Sequence, residues 1–243
     1  MASRAEATEL RSALLSAVGH DLRTPLTAIK AATGSLRDPG LRLSAADTAT
    51  QLATVEECAD RLQALVDNLL DSARLAAGGV EPQLRPVGYD ELLGPALATV
   101  DAGHLVVLEV DDTVPAVLAD PGLLERVIAN LTANALTHGR ARDVVARAAA
   151  RGDQVELRIV DHGPGLPADR AESMFAPFQR RGDRNTSSGV GLGLAVARGF
   201  TEAMGGTLRA EQTPGGGLTM VIALPVDPAA VTVGSDIAAE GTR

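Results

Sequence analysis

The residue best suited to chemistry in this sequence is His20, in the stretch HDLRTPL at 20–26. Apolar residues recur around it at spacings of three and four, which is typical of the buried stripe of a helix. His20 lies off that stripe and Thr24 shares its face, so both are expected to point to solvent or to a docking partner. For a histidine alone, a solvated side chain near the kink expected at Pro25 is the commoner case. The stripe comprises Leu15, Val18, Leu22, Pro25, Ile29, Ala32 and Leu36.

A second group of polar residues recurs one turn apart on a predicted helix from Asp120 to His138. Asn130, Asn134 and His138 are spaced four residues apart beside apolar positions. A neutral amide oxygen can hold Mg²⁺ against phosphates without repelling them as a carboxylate would. Two helical asparagines are, however, also common as caps or surface residues.

Asp161 stands where a predicted strand ends and enters the glycine turn His162-Gly163-Pro164-Gly165. Its carboxylate could accept a hydrogen bond from the exocyclic amine of adenine, and the glycines would let the backbone approach the ring closely. The same pattern also describes an ordinary turn.

Three glycines, Gly189, Gly191 and Gly193, precede or begin a helix predicted from about 190 to 204. Backbone amides at a helix start suit a polyphosphate. Two familiar phosphate loops do not fit, since there is no Gly-Lys-Ser/Thr ending, and Leu194 and Val196 break the dinucleotide fingerprint, which no strand immediately precedes. A phosphate site here must be of another type. Phe175 to Phe178 could anchor the polar loop before it or form a small satellite core.

Composition limits the class of protein. The 243 residues are 45% hydrophobic with a net charge of -9, and the basic residues form no run, so we expect no nucleic-acid partner. The single cysteine, Cys58, suits a reducing cytoplasm. No apolar run approaches the ~20 residues of a membrane span. We therefore expect a soluble chain without membrane contact.

The first third of the chain predicts a helical hairpin. One helix runs from about 5 to 36, a turn follows at Asp38-Pro39-Gly40, and a second helix, capped by Ser44 or Asp47, runs to about Leu75. Two helices cannot enclose a four-helix core, so we expect a homodimer through residues 5–76; the alternative is packing on the downstream domain. The apolar seam of the second helix contains Leu52, Val55, Ala59, Leu62, Val66, Leu69, Ala73 and Ala76.

The remainder predicts a mixed α and β domain after the glycine pair at 78–79. A long loop is expected over 162–188, and the small, polar tail after Pro225 is expected to be disordered. The predicted strands are 83–89, 105–110, 116–119, 144–150, 155–161, 207–211 and 218–224. The predicted helices are 90–100, 120–138 and 190–204.

Taken together, five motifs resemble the H, N, G1, F and G2 boxes of sensor histidine kinases, in the order of that family. The match covers about residues 5 to 225. Within the family the resemblance is to KdpD-type potassium sensor kinases, through the stretches 68–75, 182–184, 198–207 and 213–219. The five motifs are 20–26, 130–134, 161–165, 175–178 and 189–193.

The resemblance implies an α-helical hairpin that forms a four-helix bundle as a dimer, followed by an α/β sandwich ATP-binding domain of the Bergerat (GHKL) type. The expected boundaries are 1–79 for the dimerisation and phosphoacceptor hairpin, 80–226 for the ATP-binding domain and 227–243 for the tail. KdpD-type proteins carry sensory modules and membrane spans before this region. The chain would then be the cytoplasmic catalytic end of a plasma-membrane protein.

The resemblance also implies site roles. His20 would take the γ-phosphoryl group of ATP, with Asp21 accepting the proton of its other ring nitrogen, and a response regulator aspartate would receive the group. Thr24 would serve the reverse, phosphatase reaction. Mg²⁺ would be held by Asn134 and Asn130, and Asp161 would select adenine. The implied nucleotide-binding residues are Asn130, Asn134, His138, Asp161, Gly163, Gly165, Arg180, Gly189, Gly191, Gly193 and Thr219.

One departure from the family pattern lies next to the second N-box asparagine. Many relatives carry Lys or Arg three residues after it and then Tyr, whereas this chain has Thr137 and His138. Arg140 could supply the missing cation. Two alternatives to a kinase therefore stay open: an ATP-binding but kinase-inactive scaffold or phosphatase, and a non-kinase ATPase of the same superfamily, which would leave the H box unexplained.

Overall fold

The structure is a computed structural model that describes residues 2–100, 102–111, 113–139, 144–166, 172–177 and 191–228, with side chains from Val18 onward. The described residues form two compact units. The first contains residues 2–73 with Gly191 and Leu192, and the second contains the other described residues. Among the described residues, no helix is long and apolar enough to cross a membrane.

The first unit is the predicted helical hairpin. Helix α1 spans Ala2–Arg37 and α2 spans Ala45–Ala76, and α1 continues through Pro25. The start of α2 is closed by a reciprocal cap, since the amide of Asp47 donates to the Ser44 hydroxyl and the amide of Ser44 donates to the Asp47 carboxylate, each at 3.1 Å. This arrangement satisfies two amides that a helix start leaves without partners.

The apolar seam of α2 does not lie uniformly inside the hairpin. Leu52, Val66 and Leu69 are 50%, 42% and 41% exposed, whereas Leu65 is buried on another face of the helix. Helix α1 likewise leaves Leu26 exposed. Within one chain, the hairpin therefore presents much of its most apolar surface outward.

The second unit is built on a five-stranded sheet of order β2-β4-β5-β7-β6. Strand β2 pairs parallel with β4, and the other neighbours are antiparallel. Two short strands, β1 and β3, form a separate antiparallel ribbon. The bounds are Arg85–Val87 (β1), Val107–Val110 (β2), Val117–Ala119 (β3), Val145–Arg151 (β4), Gln154–Val160 (β5), Thr207–Gln212 (β6) and Leu218–Pro225 (β7).

Three helices complete an α/β sandwich: α3 (Tyr89–Ala98), α4 (Pro121–His138) and α5 (Gly193–Ala203). Helix α4 begins as predicted, with Asp120 accepting a hydrogen bond from the amide of Leu123 and Pro121 in the first turn. Alternate residues of the strands join the helices in one core, as the two-residue period of a strand requires. The largest fully buried side chains include Leu124, Ile128, Leu131, Leu157, Ile159, Phe200, Met220, Ile222 and Leu224.

Some element boundaries differ from the prediction. The helix expected from 190 begins at Gly193, because Gly191 has a φ of +71°, which a right-handed helix does not permit. The strand expected over 83–89 is limited to Arg85–Val87, since α3 begins at Tyr89. The strand expected over 105–110 begins only at Val107, because Gly103–Leu105 form a 3₁₀ turn. Most of the predicted loop at 162–188, and the tail from 229, lie outside the described residues.

The last turn of α2 belongs to the second unit. Leu75 packs there against Gly199, a residue inside α5, where a Cβ would come within 2.7 Å of the Leu75 Cδ1 atom. A glycine inside a helix costs roughly 1 kcal/mol relative to alanine. At this position it provides the space that Leu75 occupies.

The β1–β3 ribbon is joined to the five-stranded sheet through the residues that follow β7. Val117 of β3 pairs with Val87 of β1 and also forms a bridge with Val226. The Val226 amide donates to the carbonyl of Asp153, and the Asp227 amide donates to that of Ala116. The residues that follow β7 therefore tie the ribbon to the sheet.

The sheet face turned away from the core carries a network of alternating charges. Arg209 donates to Glu156 at 2.6 Å and to Glu211 at 3.0 Å, and Arg158 donates to Glu156 at 2.9 Å and also to Glu211. The Arg209 guanidinium, and then that of Arg158, hold the pKa of Glu156 below its usual value. The network covers Val221, a buried residue of β7 that lies in register between Arg158 and Arg209.

This network makes stability depend on pH in a defined direction. Since the pKa of Glu156 is lower in the folded chain, its contribution is complete above the unfolded value, about 4.3, and is lost as pH falls through the folded value. We expect Glu156→Gln to lower the free energy of unfolding by about 1 kcal/mol at pH 7, and by much less at pH 3.5. Urea unfolding at both pH values tests this.

The matched control is Glu109→Gln. Glu109 pairs with Arg147 at 3.3 Å with both side chains half-exposed, so its substitution should change stability by no more than about 0.5 kcal/mol. An equal loss for Glu156→Gln at both pH values would contradict the assigned role of its charge.

Candidate functional site

His20 lies on the exposed side of α1, as predicted. Its side chain is 68% exposed, and its Nδ1 atom lies 3.1 Å from Oδ1 of Asp21, whose side chain is largely buried. A carboxylate at Nδ1 favours the neutral tautomer that carries its proton on this atom, which leaves the lone pair of Nε2 facing outward. The pair thus presents a nucleophile on the surface of the hairpin.

Thr24 lies one turn beyond His20 and is also exposed. Its hydroxyl donates to the carbonyl oxygen of His20 at 3.2 Å. This is the local helical hydrogen bond that threonine commonly makes. Thr27 makes an equivalent bond to the carbonyl of Arg23 at 2.8 Å, so the contact by itself is not specific to the face of His20.

Asp161 is the central residue of the second unit's candidate site. It is 3% exposed, and its Oδ1 atom accepts hydrogen bonds from the amides of Gly163 at 2.8 Å and Leu218 at 3.1 Å. Its own amide donates to the carbonyl of Leu218 at 2.9 Å. No described residue donates to the other oxygen, Oδ2. Two backbone amides thus hold one oxygen of the carboxylate, and the other has no donor within the part of the chain that the structure describes.

Glycines surround Asp161 where a side chain would not fit. A Cβ at Gly139 would come within 2.7 Å of the Asp161 Cβ, and a Cβ at Gly163 would collide with the carbonyl oxygen of His138. A Cβ at Gly217 would collide with the carbonyl oxygen of Asp161, and Gly165 has a φ of +67°. The end of α4, the turn after β5 and the turn before β7 therefore meet around the carboxylate.

Asn130 and Asn134 lie on one face of α4, and both are partly exposed. The side chain of Asn130 approaches the start of α5, where a Cβ at Gly193 would come within 3.3 Å of its Oδ1 atom. No described residue forms a hydrogen bond with either carboxamide. Among the described residues there is no cluster of three or more His, Cys, Asp or Glu side chains that could hold a metal ion.

Thr219 follows Leu218 on β7, in register with Val160, and so adjoins Asp161. Its hydroxyl lies 2.9 Å from that of Thr213, and both residues are buried. Thr219 is one of the site residues predicted from the sequence, and Thr213 is not. The sequence offers one signal for Thr213: it is a polar residue just before the Pro-Gly-Gly-Gly turn at 214–217. Such a turn brings its two ends together, and so places Thr213 near Thr219.

The segment that begins at Glu172 is fixed to α5 by Arg198. The Arg198 guanidinium lies 5.4 Å from the ring centroid of Phe175 and donates to Glu172 at 3.1 Å and to Glu202 at 2.8 Å. Phe175 is buried in the main core of the unit. The prediction that residues 175–178 could form a small satellite core is therefore wrong for Phe175. Arg180, Gly189 and Phe178 lie outside the described residues.

Two family models match the chain over the regions that hold these sites. The His Kinase A (phospho-acceptor) domain matches residues 10–78, which include His20, and the Histidine kinase-, DNA gyrase B-, and HSP90-like ATPase family matches residues 119–228, which include Asp161. The chain belongs to the sensor histidine kinases. Its fold is accordingly a helical phosphoacceptor region followed by an ATPase domain of the GHKL type, as predicted.

The histidine kinase is similar to a KdpD-type sensor. The sensor protein KdpD of Mycobacterium tuberculosis is 51% identical over 229 residues, which cover 90% of this chain and 26% of the relative. The chain thus spans about a quarter of the length of that relative.

Two solved structures resemble the kinase. Full-length ShkA in complex with AMPPNP has a TM-score of 0.62 and 29% identity, and the match covers 89% of this chain and 46% of that one. Histidine kinase ThkA in complex with response regulator protein TrrA has a TM-score of 0.65 at 19% identity and covers 93% of this chain and 65% of that one, which indicates a shared fold.

Proposed function

We propose that this chain is the catalytic core of a sensor histidine kinase that phosphorylates His20 from Mg-ATP and passes the phosphoryl group to an aspartate of a response regulator. The observation that carries the proposal is the pair of prepared sites: an exposed imidazole with its Nδ1 atom against a carboxylate, and a buried Asp161 that keeps one oxygen for an external donor. The ShkA neighbour binds the nucleotide AMPPNP.

The chemistry at His20 follows from its tautomer. Nε2 attacks the γ-phosphorus, a nitrogen–phosphorus bond forms, and the bond to the bridging oxygen breaks, so that ADP leaves with that oxygen. Asp21 holds the Nδ1 proton and stabilises the positive charge that develops on the ring. The imidazole then acts as leaving group when the regulator carboxylate attacks.

The second unit fits the nucleotide. Oδ2 of Asp161 would accept a hydrogen bond from the exocyclic amine of adenine, and Gly163, Gly165 and Gly217 let the surrounding backbone pack closely around that carboxylate. Asn134 and Asn130 would hold Mg²⁺ through their amide oxygens, with His138, Gly191 and Gly193 near the phosphates. When bound, the ion supplies charge neutralisation across the phosphates. Arg180 and Gly189 remain predicted contacts of the same nucleotide.

Incubation with γ-labelled ATP and Mg²⁺, followed by acid and alkali treatment, tests the proposal. A kinase gives protein-bound label that survives alkali and is lost in acid, as expected of a phosphoramidate. Release of phosphate without bound label would favour the non-kinase ATPase. Nucleotide binding with neither protein-bound label nor phosphate release would favour the regulatory scaffold. Only the first result supports the proposal.

We assign residues 1–79 to the dimerisation and phosphoacceptor hairpin, 80–226 to the ATP-binding domain and 227–243 to a tail. The outward stripe of Leu52, Val66 and Leu69 supports a homodimer through residues 5–76, because a second hairpin could cover these apolar side chains. Similarity to KdpD supports a parent protein in the plasma membrane with this region in the cytoplasm, and a role in potassium or osmotic signalling.

We also propose that Thr24 serves the reverse reaction, in which a water molecule attacks the phosphoryl-aspartate of a docked regulator. Its hydroxyl can orient water because it both donates and accepts, and its 3.2 Å bond to the His20 carbonyl is exposed and readily exchanged. We expect Thr24→Ala to slow regulator dephosphorylation by about tenfold or more, ~1.4 kcal/mol, and to leave autophosphorylation near wild type. Thr24→Ser should keep both activities.

Thr27→Ala is the matched control, since Thr27 makes the same type of helical bond on an exposed turn of α1. Comparable losses in Thr24→Ala and Thr27→Ala would assign the effect to the helix and not to the chemistry. Unchanged dephosphorylation in Thr24→Ala would remove the residue from the mechanism.

A further inference from the structure

The pair of threonines beside Asp161 has a hydrogen-bonding capacity that the protein does not use in full. The hydroxyls of Thr213 and Thr219 are 2.9 Å apart, and neither makes another hydrogen bond to a described residue. Each hydroxyl has one hydrogen to donate, and one shared bond uses only one of the two. One hydroxyl hydrogen of the pair therefore has no acceptor among the described residues.

That unused hydrogen is buried. Thr213 and Thr219 are 7% and 4% exposed. A buried donor without an acceptor is destabilising, so a protein rarely keeps one unless a ligand or an ordered water completes the bond.

Two backbone contacts fix the pair relative to Asp161. The Thr213 amide donates to the carbonyl of Gly217 at 3.2 Å, which closes the turn between β6 and β7. The next residue, Leu218, exchanges hydrogen bonds with both the amide and the carboxylate of Asp161. The carboxylate and the hydroxyl pair thus belong to one rigid assembly, and their spacing does not depend on a mobile side chain.

We propose that Thr213 is a positioning residue for the purine: it donates its hydrogen to Thr219 and so directs the hydroxyl hydrogen of Thr219 to ring nitrogen N1. This inference rests on the proposed ATP site. Adenine presents an amine donor beside the N1 acceptor. Oδ2 of Asp161 accepts a hydrogen bond from the amine. The Thr219 hydroxyl, fixed as a donor, donates to N1 directly or through one water.

The order of the two bonds explains why Thr213 is needed. A threonine hydroxyl without a partner can rotate and can act as donor or acceptor. Fixing it in one orientation costs free energy on binding, and it distinguishes weakly between a donor and an acceptor on the base. Once the Thr219 hydroxyl accepts a hydrogen bond from Thr213, it is favourably placed to donate its own hydrogen to the base. Thr213 would act on the base without touching it.

The experiment measures equilibrium binding of ATP, 1-deaza-ATP and 7-deaza-ATP to the full chain and to Thr213→Val. In wild type, replacing N1 by carbon should weaken binding about tenfold, and replacing N7 should have a smaller effect. In Thr213→Val, ATP affinity should fall about five- to tenfold whereas 1-deaza-ATP affinity stays nearly constant, so the preference for N1 disappears. Thr213→Ser should restore it.

Thr201→Val is the matched control, because Thr201 is a buried threonine of the same unit whose hydroxyl bonds to the carbonyl of Ala197 within α5. It should keep the preference for N1. If Thr213→Val weakens ATP and 1-deaza-ATP equally, Thr213 is only structural and the inference is overturned. If wild type binds neither nucleotide, the proposed ATP site itself fails, which is a separate outcome.

Discussion

His20→Gln is expected to reduce acid-labile phosphorylation to background, a loss of at least about a hundredfold, or ~2.7 kcal/mol. Glutamine has no nucleophilic nitrogen, since its amide lone pair is delocalised. The side chain of His20 is 68% exposed and contacts Asp21 at its surface, so the substitution creates no cavity and should leave the fold intact. Labelling with γ-labelled ATP, together with thermal unfolding, measures both effects.

The matched control is His104→Gln. His104 is another exposed histidine, in the 3₁₀ turn of the second unit, and its replacement should leave labelling unchanged. Acid-labile label that persists on His20→Gln at more than a few per cent would show that another residue accepts the phosphoryl group.

Asp161→Asn is expected to weaken ATP binding by about a hundredfold, near 2.7 kcal/mol. The amide oxygen of asparagine can still accept from Gly163 and Leu218, which keeps the turn in place. Its NH₂ group would then occupy the position of Oδ2 and would face the adenine amine, donor against donor. The loss combines a broken charge-assisted hydrogen bond with two donors left unpaired in a buried site.

Calorimetry of ATP binding, with unfolding monitored in parallel, separates binding from stability. Asp153→Asn serves as control, because Asp153 is exposed at the tip of the β4–β5 hairpin. ATP affinity unchanged in Asp161→Asn would mean that this carboxylate does not face the base. A large loss of stability instead would assign Asp161 to the fold.

Local sequence patterns were sufficient to predict many of the helix boundaries and exposed positions. The reciprocal cap at Ser44 and Asp47 and the start of α4 at Asp120 both follow from hydrogen bonds between residues three apart, which a sequence displays directly. The exposure of His20 follows in the same way from helical periodicity. The roles of the site residues remain predictions that the experiments above address.

Contacts between residues that are far apart along the chain could not be predicted from local sequence patterns. The order of the sheet, with β7 between β5 and β6, and the pairing of β1 with β3 depend on which surfaces pack best after the chain has folded. Gly199 resembles an unfavourable residue inside a helix until Leu75 is seen beside it. Thr213 is informative only because its hydroxyl meets that of Thr219.

The bridge from Val117 to Val226 bears on how such domains are recombined. Because Val87 and Val226 both pair with Val117, the first strand of the second unit and the residues that follow its last strand lie next to each other. Closely spaced ends are the condition under which a domain can be inserted into a foreign loop or circularly permuted without disturbing its interior. The second unit therefore meets this condition between β1 and the residues that follow β7.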